Sequence, residues 1–161
     1  MEAFKHLYEK YYRQLYAFLL KLSRNKELAE ELTQQTLFKA FVNIEQFQEK
    51  SSFFTWICQI GKNEWLQECR RNARFIVDDK PVEEAGSYNL EQEVLRKQEL
   101  ETLRKELAQL PDPYQTVLIL RTYAQLSYKE IARQFQKSES WAKVTYMRGK
   151  AMLTERMVKH Q

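Results

Sequence analysis

Residues 126–153 read LSYKEIARQFQKSESWAKVTYMRGKAML, and their spacing predicts two short helices joined by a tight turn. Ser127 and Glu130 have the S-x-x-E spacing of a capping box, which marks the start of a helix. Ser138 is a suitable N-cap for the helix that follows. The stretch therefore has the pattern of a helix-turn-helix, whose second helix can enter the major groove of DNA.

The second helix of this motif has two different faces. Residues at helical spacing place one set of small and apolar side chains together: Ala142, Tyr146, Gly149 and Leu153. Cations and a small polar group are predicted to point elsewhere: Lys143, Thr145, Arg148 and Lys150. A helix that buries one side and exposes such groups on the other suits a DNA groove. A solvated amphipathic helix within a bundle is the alternative.

Composition indicates an all-α protein. The chain of 161 residues contains three glycines and three prolines, and no stretch alternates apolar and polar residues as a strand would. Its formal net charge is +4. We identify no signal peptide and no apolar run long enough to span a membrane, so we expect a cytoplasmic protein that does not insert directly into membranes.

The charge is distributed in three segments. Residues 1–74 have a net charge of +3, residues 75–94 of −5 and residues 95–161 of +6. The middle segment also contains Pro81 and Gly86 and has little periodicity. We therefore predict two small basic helical domains, 1–74 and 95–161, joined by a flexible acidic linker over 75–94.

Three helices are predicted in the N-terminal domain. The first carries a broad apolar stripe, the second runs from about Lys26 to Phe47 with Asn25 as a possible cap, and the third runs from about 53 to 74. The third helix interleaves aromatic residues with basic and amide side chains. That mixture suits unstacked bases and a phosphate backbone. The alternative is that the aromatic residues form core and the cations lie on a solvated face.

Four helices are predicted in the C-terminal part, at about 90–110, 113–124, 127–136 and 138–156. Asp112, Pro113 and Gln115 fit an N-cap, a first helical position and a third helical position. An apolar stripe precedes them, formed by Leu100, Leu103, Leu107 and Leu110. Ordinary core and a dimerisation seam are the two interpretations of that stripe.

The residue types give no pattern for catalysis or for a bound cofactor or metal. His6 and His160 lie near opposite ends of the chain, and there is no Gly-rich phosphate loop. Cys58 and Cys69 are eleven residues apart on one predicted helix, which separates them by about 16 Å along its axis. That distance is too long for a disulfide, so we expect reduced thiols. Because none of these residues has a catalytic pattern, we also expect a protein that is not an enzyme.

Two longer stretches resemble a known family. LAEELTQQTLFKAF, with FFTWICQIGKNEWLQECRR after it, resembles region 2 of bacterial sigma-70 family factors of the extracytoplasmic-function group. LAQLPDPYQTVLILRTYAQLSYKEIARQF, with SESWAKVTYMRGKAML after it, resembles region 4 of the same group. The two similarities cover about residues 4–74 and 95–155, in the order that the family has.

The resemblance implies a sigma factor that directs core RNA polymerase to promoters, with three interfaces. Docking on the β′ clamp helices would involve Glu31, Leu32, Gln34, Gln35, Phe38, Lys39 and Phe41. Opening and reading of the −10 element would involve Phe47, Ser51, Ser52, Phe53, Thr55, Trp56, Asn63 and Arg70. Reading of the −35 element would involve Ser140, Lys143, Thr145 and Arg148. The polymerase β flap and an anti-sigma factor are the further partners that the resemblance implies.

Several positions depart from the family pattern, among them Gln35, Gln59, Gln67 and the turn before the last helix. Gln136 and Lys137 stand where the turn usually has a glycine and an apolar residue, so a left-handed residue there would be strained. Trp141 either contacts DNA or packs against the neighbouring helix.

The alternative function is a stand-alone helix-turn-helix regulator of transcription, which leaves the aromatic and basic third helix unexplained. An RNA-binding or scaffold protein fits the charge and little else.

Overall fold

The structure is a computed structural model that describes residues 2–72 and 90–160. Seven α-helices contain most of these residues. They are α1 (Glu2–Ser23), α2 (Lys26–Val42), α3 (Phe53–Asn72), α4 (Leu90–Gln109), α5 (Tyr114–Thr122), α6 (Tyr128–Phe135) and α7 (Glu139–Val158). A short 3₁₀ turn, Ile44–Gln46, follows α2. These residues include no β-strand, so the all-α prediction is confirmed.

The helices α1, α2 and α3 pack together as an N-terminal bundle. Its buried side chains come from the apolar stripe of α1 and from the facing sides of its neighbours, including Leu15, Leu19, Leu32, Leu37, Ile57 and Trp65. Asn25 caps α2, because its side chain accepts a hydrogen bond from the backbone N–H of Leu28 at 3.0 Å. The helix ends at Val42, earlier than predicted, and the chain continues as the 3₁₀ turn.

The predicted linker lies largely outside the described residues. Of its span 75–94, only the last five residues are described, and they belong to α4, which begins at Leu90. Further along α4, Leu107 and Leu110 are buried, whereas Leu100 and Leu103 are half-buried. The predicted leucine stripe therefore contributes to the core of the C-terminal helices.

The start of α5 differs from the prediction. The helix begins at Tyr114, and Asp112 accepts a hydrogen bond from the backbone N–H of Thr116 at 3.2 Å. Gln115 does not reach back to a capping residue. Its side-chain amide instead donates to the carbonyl oxygens of Leu107 and Ala108, at 3.1 and 3.0 Å. Gln115 thereby satisfies carbonyls at the C-terminal end of α4, which lack partners within the helix.

The helices α6 and α7 form the predicted helix-turn-helix. Ser127 and Ser138 cap them, each accepting a backbone N–H hydrogen bond at 3.1 Å. Gln136 ends α6 in the left-handed conformation, with φ 56° and ψ 44°, so the strained turn predicted without glycine is present. Only the serine half of the predicted capping box forms, because the carboxylate of Glu130 binds residues of the N-terminal bundle.

Close packing on α7 explains two of its residues. A Cβ at Gly149 would lie 3.3 Å from both the Cβ and the carbonyl oxygen of Tyr114, so glycine allows α5 and α7 to approach closely. The ring of Trp141 lies 5.2 Å from that of Phe135 on α6, measured between centroids. Trp141 therefore packs against the neighbouring helix, as one of the two alternatives predicted, and it keeps part of its surface exposed.

The two halves of the molecule are in contact through α3 and α4. The helix α3 packs against α5 and α6. Lys62 of α3 is 2% exposed and donates a hydrogen bond of 2.6 Å to Thr116 of α5. Arg104 of α4 is 4% exposed, and its guanidinium donates to the carbonyls of Leu22 and Lys21 at the end of α1, at 2.8 and 2.7 Å.

Candidate nucleic-acid interface

The residues predicted to dock on polymerase lie along α2, and most of them are exposed. Glu31, Gln34 and Gln35 form a polar exposed surface together with Lys39, and Phe38 is 59% exposed at its end. Val42 and Ile44, which the sequence analysis missed, extend this surface with exposed fractions of 60% and 40%. Val42 follows Phe38 by four residues on α2, and this helical spacing could have identified it. We define the α2 surface as the exposed residues Gln34, Gln35, Phe38, Lys39, Val42 and Ile44.

Three predicted α2 residues are held by the fold. Leu32 is 2% exposed and belongs to the core of the bundle. Phe41 is half-buried, and its ring lies 5.3 Å from that of Phe4 on α1, edge to face. Lys39 makes an ion pair with Glu64 of α3. These contacts fix the position of α2 in the bundle, so the side chains on its outer face are presented on a rigid support.

An aromatic cluster lies at the start of α3. The rings of Phe47, Phe53 and Trp56 lie 5.4–5.5 Å from one another, and Tyr11 lies 4.9 Å from Phe53. Each of these side chains is half-buried, so each packs against protein and keeps part of its surface exposed. The structure thus combines the two interpretations of the aromatic residues: they pack together, and they keep surface on which a base can stack.

The predicted −10 residues from Thr55 onward lie on two stripes along α3. Trp56, Asn63 and Arg70 follow one another at seven-residue spacing, which keeps them on one side of the helix. Asn63 and Arg70 are exposed. Thr55 lies on the neighbouring stripe with Gln59 and Lys62, and this second stripe faces the C-terminal helices.

Residues of α6 cover the N-terminal end of α3. Ser52 caps α3, accepting a hydrogen bond from the backbone N–H of Thr55 at 3.1 Å. One carboxylate oxygen of Glu130 accepts from the backbone N–H of Ser52 at 2.6 Å and from the hydroxyl of Thr55 at 2.9 Å. Gln134 makes hydrogen bonds with the side chains of Ser51 and Gln59. As a result Ser51 is 5% exposed and Thr55 is fully buried.

The contact stabilises the charged form of Glu130. Burial acts to raise the pKa of this carboxyl group, but the hydrogen bonds from Ser52 and Thr55 and the nearby charge of Arg133 outweigh it and lower the pKa. Burial has the dominant effect on Lys62, whose pKa is lowered even though Asp112 lies close enough to oppose the shift. The sequence offered no indication of these contacts, since they join residues more than 50 positions apart.

The predicted −35 residues on α7 are exposed with one exception. Ser140, Lys143 and Arg148 are exposed. Thr145 is 5% exposed, and the prediction that it points away from the packed face is wrong. It follows Ala142 by three residues and precedes Gly149 by four, which places it on the buried side of the helix. Val144 and Met147, 46% and 63% exposed, lie on the outer side of α7 and were not predicted.

The two cysteines are free thiols buried along α3. Burial raises the pKa of both, and that of Cys69 to about 12, so neither is a reactive thiolate at neutral pH. Residues 2–72 and 90–160 contain no cluster of side chains suited to a metal ion. No helix within these ranges is both long and apolar enough to cross a membrane.

Comparison with known proteins matches both halves of the chain. Residues 7–75 match the family model for Sigma-70 region 2, and residues 100–153 match that for Sigma-70, region 4. RNA polymerase sigma factor YlaC of Bacillus subtilis is 32% identical over 98% of this chain and 94% of its own length. The ECF RNA polymerase sigma factor SigM of the same organism is 27% identical, over 91% of this chain and 90% of its own.

Solved structures agree in fold. The sigma factor RpoE of Bartonella quintana, in complex with the anti-sigma factor NepR, aligns with a TM-score of 0.54 and 24% identity, covering 98% of each chain. CnrH in complex with the cytosolic domain of CnrY aligns with a TM-score of 0.58 and 17% identity, covering 99% of this chain and 90% of its own. At these identities the likeness concerns the fold alone.

Proposed function

Because the chain belongs to the extracytoplasmic-function group of the sigma-70 family of RNA polymerase sigma factors, we propose that it binds core polymerase through the α2 surface. The observation that carries this proposal is the exposure of Phe38 and Val42, 59% and 60%, at the end of an otherwise well-packed helix. Large apolar side chains side by side on a surface commonly mark a protein interface. A stand-alone DNA-binding regulator would not need this surface.

We further propose that the start of α3 opens and reads the −10 element. The half-buried rings of Phe47, Phe53 and Trp56 offer faces for stacking, and Asn63 and Arg70 lie along the same helix. Extruding a base costs a few kcal/mol, and stacking on an aromatic ring returns about 1–3 kcal/mol per base. Ser52, which is exposed, and the N-terminal end of α3 suit a backbone phosphate.

The third proposed interface is the outer face of α7, which would read the −35 element. Ser140, Lys143 and Arg148 are exposed there, at the N-terminal end and along the outer side of the second helix of the helix-turn-helix. This is the end that contacts base edges in such motifs. Cations on this face also add phosphate contacts, whose strength depends on salt. Thr145 is left out of this interface because it is buried.

We also propose control by an anti-sigma factor and a cytoplasmic site of action. Two solved relatives of the same fold were captured with an anti-sigma factor or with a partner's cytosolic domain. Exposed apolar residues on the first turns of α4 provide a surface that such a protein could cover: Leu90, Val94 and Leu95, with exposed fractions of 49–64%. We also propose two domains, 1–74 and 95–161; the matched regions, residues 7–75 and 100–153, support this division.

Run-off transcription tests the proposal directly. Sigma-free core polymerase would be incubated with fragmented genomic DNA of the source bacterium, with and without the chain, and the RNA 5′ ends sequenced. We expect new start sites that share an upstream sequence pattern. The variant Phe38→Ser should lose these starts while the chain still binds DNA, and Lys26→Ser, at the opposite end of α2, should keep them. DNA binding without new starts would favour the stand-alone regulator.

A further inference from the structure

The contact between α6 and α3 occupies the surface that the proposed function assigns to promoter DNA. We propose that Glu130 and Gln134 hold the free chain in a closed state, in which the Glu130 carboxylate takes the place of a DNA phosphate at the start of α3. This inference rests on the proposed −10 role of Ser51, Ser52 and Thr55.

The hydrogen bonds of Glu130 have the chemistry of phosphate recognition. Its carboxylate oxygen accepts from the backbone N–H of Ser52, the N-cap residue of α3, and from the hydroxyl of Thr55 in the first turn, at 2.6 and 2.9 Å. A helix N-terminus with a free N–H and a hydroxyl is a site that binds phosphate oxygens. An anion supplied by the protein itself already fills these donors, so a DNA strand would have to displace it.

Gln134 extends the cover by about one helical turn. Its side chain lies one turn after Glu130 on α6 and makes hydrogen bonds with Ser51, in the loop before α3, and with Gln59, one turn after Thr55 on α3. With Glu130 in place, Ser51 is 5% exposed and Thr55 is fully buried. A nucleotide cannot reach these side chains while α6 remains in position. The closed state therefore opposes DNA by both shape and charge.

Closure couples the two DNA-binding units of the chain. The covering helix α6 is the first helix of the helix-turn-helix, so releasing α3 requires the C-terminal helices to move as a group. A partner that binds the two halves at separate positions would stabilise the open state, and the free chain would remain a poor ligand for single-stranded DNA. The apparent affinity of such a chain is its open-state affinity multiplied by the open fraction.

The test compares variants of the full chain by fluorescence anisotropy. The probe is a fluorescein-labelled single-stranded DNA of about 15 random nucleotides, a length that a single groove can hold. The variants are Gln134→Ala, which leaves the charge unchanged, and the double variant Glu130→Ala with Gln134→Ala. Glu155→Ala is the matched control, since Glu155 is exposed on α7 and its loss changes the net charge equally. Circular dichroism confirms that each variant is folded.

If the substitutions open the chain, the affinities of the variants for the probe should follow a defined order. If the open fraction rises from about 5% to about 50%, the double variant binds the probe about tenfold more tightly than the wild type. Gln134→Ala gives an intermediate gain, and Glu155→Ala changes affinity less than about twofold. Small-angle X-ray scattering should show a larger radius of gyration for the double variant alone.

Two results would overturn the inference. One is a double variant that expands in solution without binding the probe more tightly. The other is a gain no larger than that of Glu155→Ala, which would reflect charge alone. Run-off transcription by the wild-type chain with core polymerase distinguishes a failure of the closed state from a failure of the proposed function. If new starts appear while either result holds, only the closed state is refuted. If no starts appear, the proposed function fails and the inference fails with it.

Discussion

Arg104 provides the sharpest test of how the two halves are held together. Its buried guanidinium donates two hydrogen bonds to carbonyls at the end of α1, at 2.7 and 2.8 Å, and lies 5.5 Å from the centre of the Tyr123 ring. Hydrogen bonds from a charged group contribute about 1.5–3 kcal/mol each, but burying the cation offsets part of that gain. We expect Arg104→Ala to lower the free energy of unfolding by about 3 kcal/mol.

Urea denaturation followed by circular dichroism measures this change. With a slope of about 2 kcal/mol per molar urea, a loss of about 3 kcal/mol lowers the midpoint by about 1.5 M. Arg96→Ala, an exposed position on the same helix, is the matched control and should change the free energy by less than about 0.5 kcal/mol. If the two variants unfold at the same urea concentration, Arg104 does not join the halves as described.

Four further outcomes are expected. Trp56→Ala should retain core binding but reduce permanganate reactivity of promoter thymines, because it removes a stacking surface; wild-type reactivity would contradict this. Lys143→Ala should weaken the footprint over the upstream element without changing −10 melting, and an unchanged footprint would count against the α7 interface. Gln136→Gly should stabilise the protein by about 0.5–1 kcal/mol, since it relieves a left-handed residue at φ 56°; Gln98→Gly, inside α4, should destabilise it by about 1 kcal/mol, and shifts of the same sign would refute the reasoning. The contact of Glu130, whose pKa is lowered on folding, should be fully present above the ordinary carboxyl range and lost as the pH falls through the lowered pKa; energy transfer between the halves during acid titration would show this, and an identical titration of Glu130→Ala would contradict it.

Local features of the fold followed from the sequence because they depend on neighbouring residues. Asn25, Ser127 and Ser138 cap the helices that they were predicted to begin, since an N-cap interacts with a backbone group only two or three positions away. The left-handed Gln136 was likewise predictable from the turn in which it lies. The family resemblance added the order of the two regions and their candidate surfaces.

Features that depend on contacts between distant segments were not predictable in this way. The motif at Ser127 and Glu130 indicated a reciprocal cap, but the carboxylate instead accepts from the backbone N–H of Ser52 and the hydroxyl of Thr55 at the N-terminal end of α3. Thr145 was assigned to the exposed side because its residue type is polar, although its spacing from Ala142 places it on the buried side. Lys62 is one of the basic side chains of the third helix, which was predicted to suit a phosphate backbone, but it is buried against Thr116.

We propose above all that this chain is a subunit of the transcribing polymerase. Gel filtration of the purified chain with sigma-free bacterial core RNA polymerase is the first test. We expect the chain to elute with the polymerase, and Phe38→Ser on the α2 surface to reduce the bound fraction. Separate elution of the wild-type chain from active core of the same organism would contradict this proposal and leave a stand-alone DNA-binding regulator as the better description.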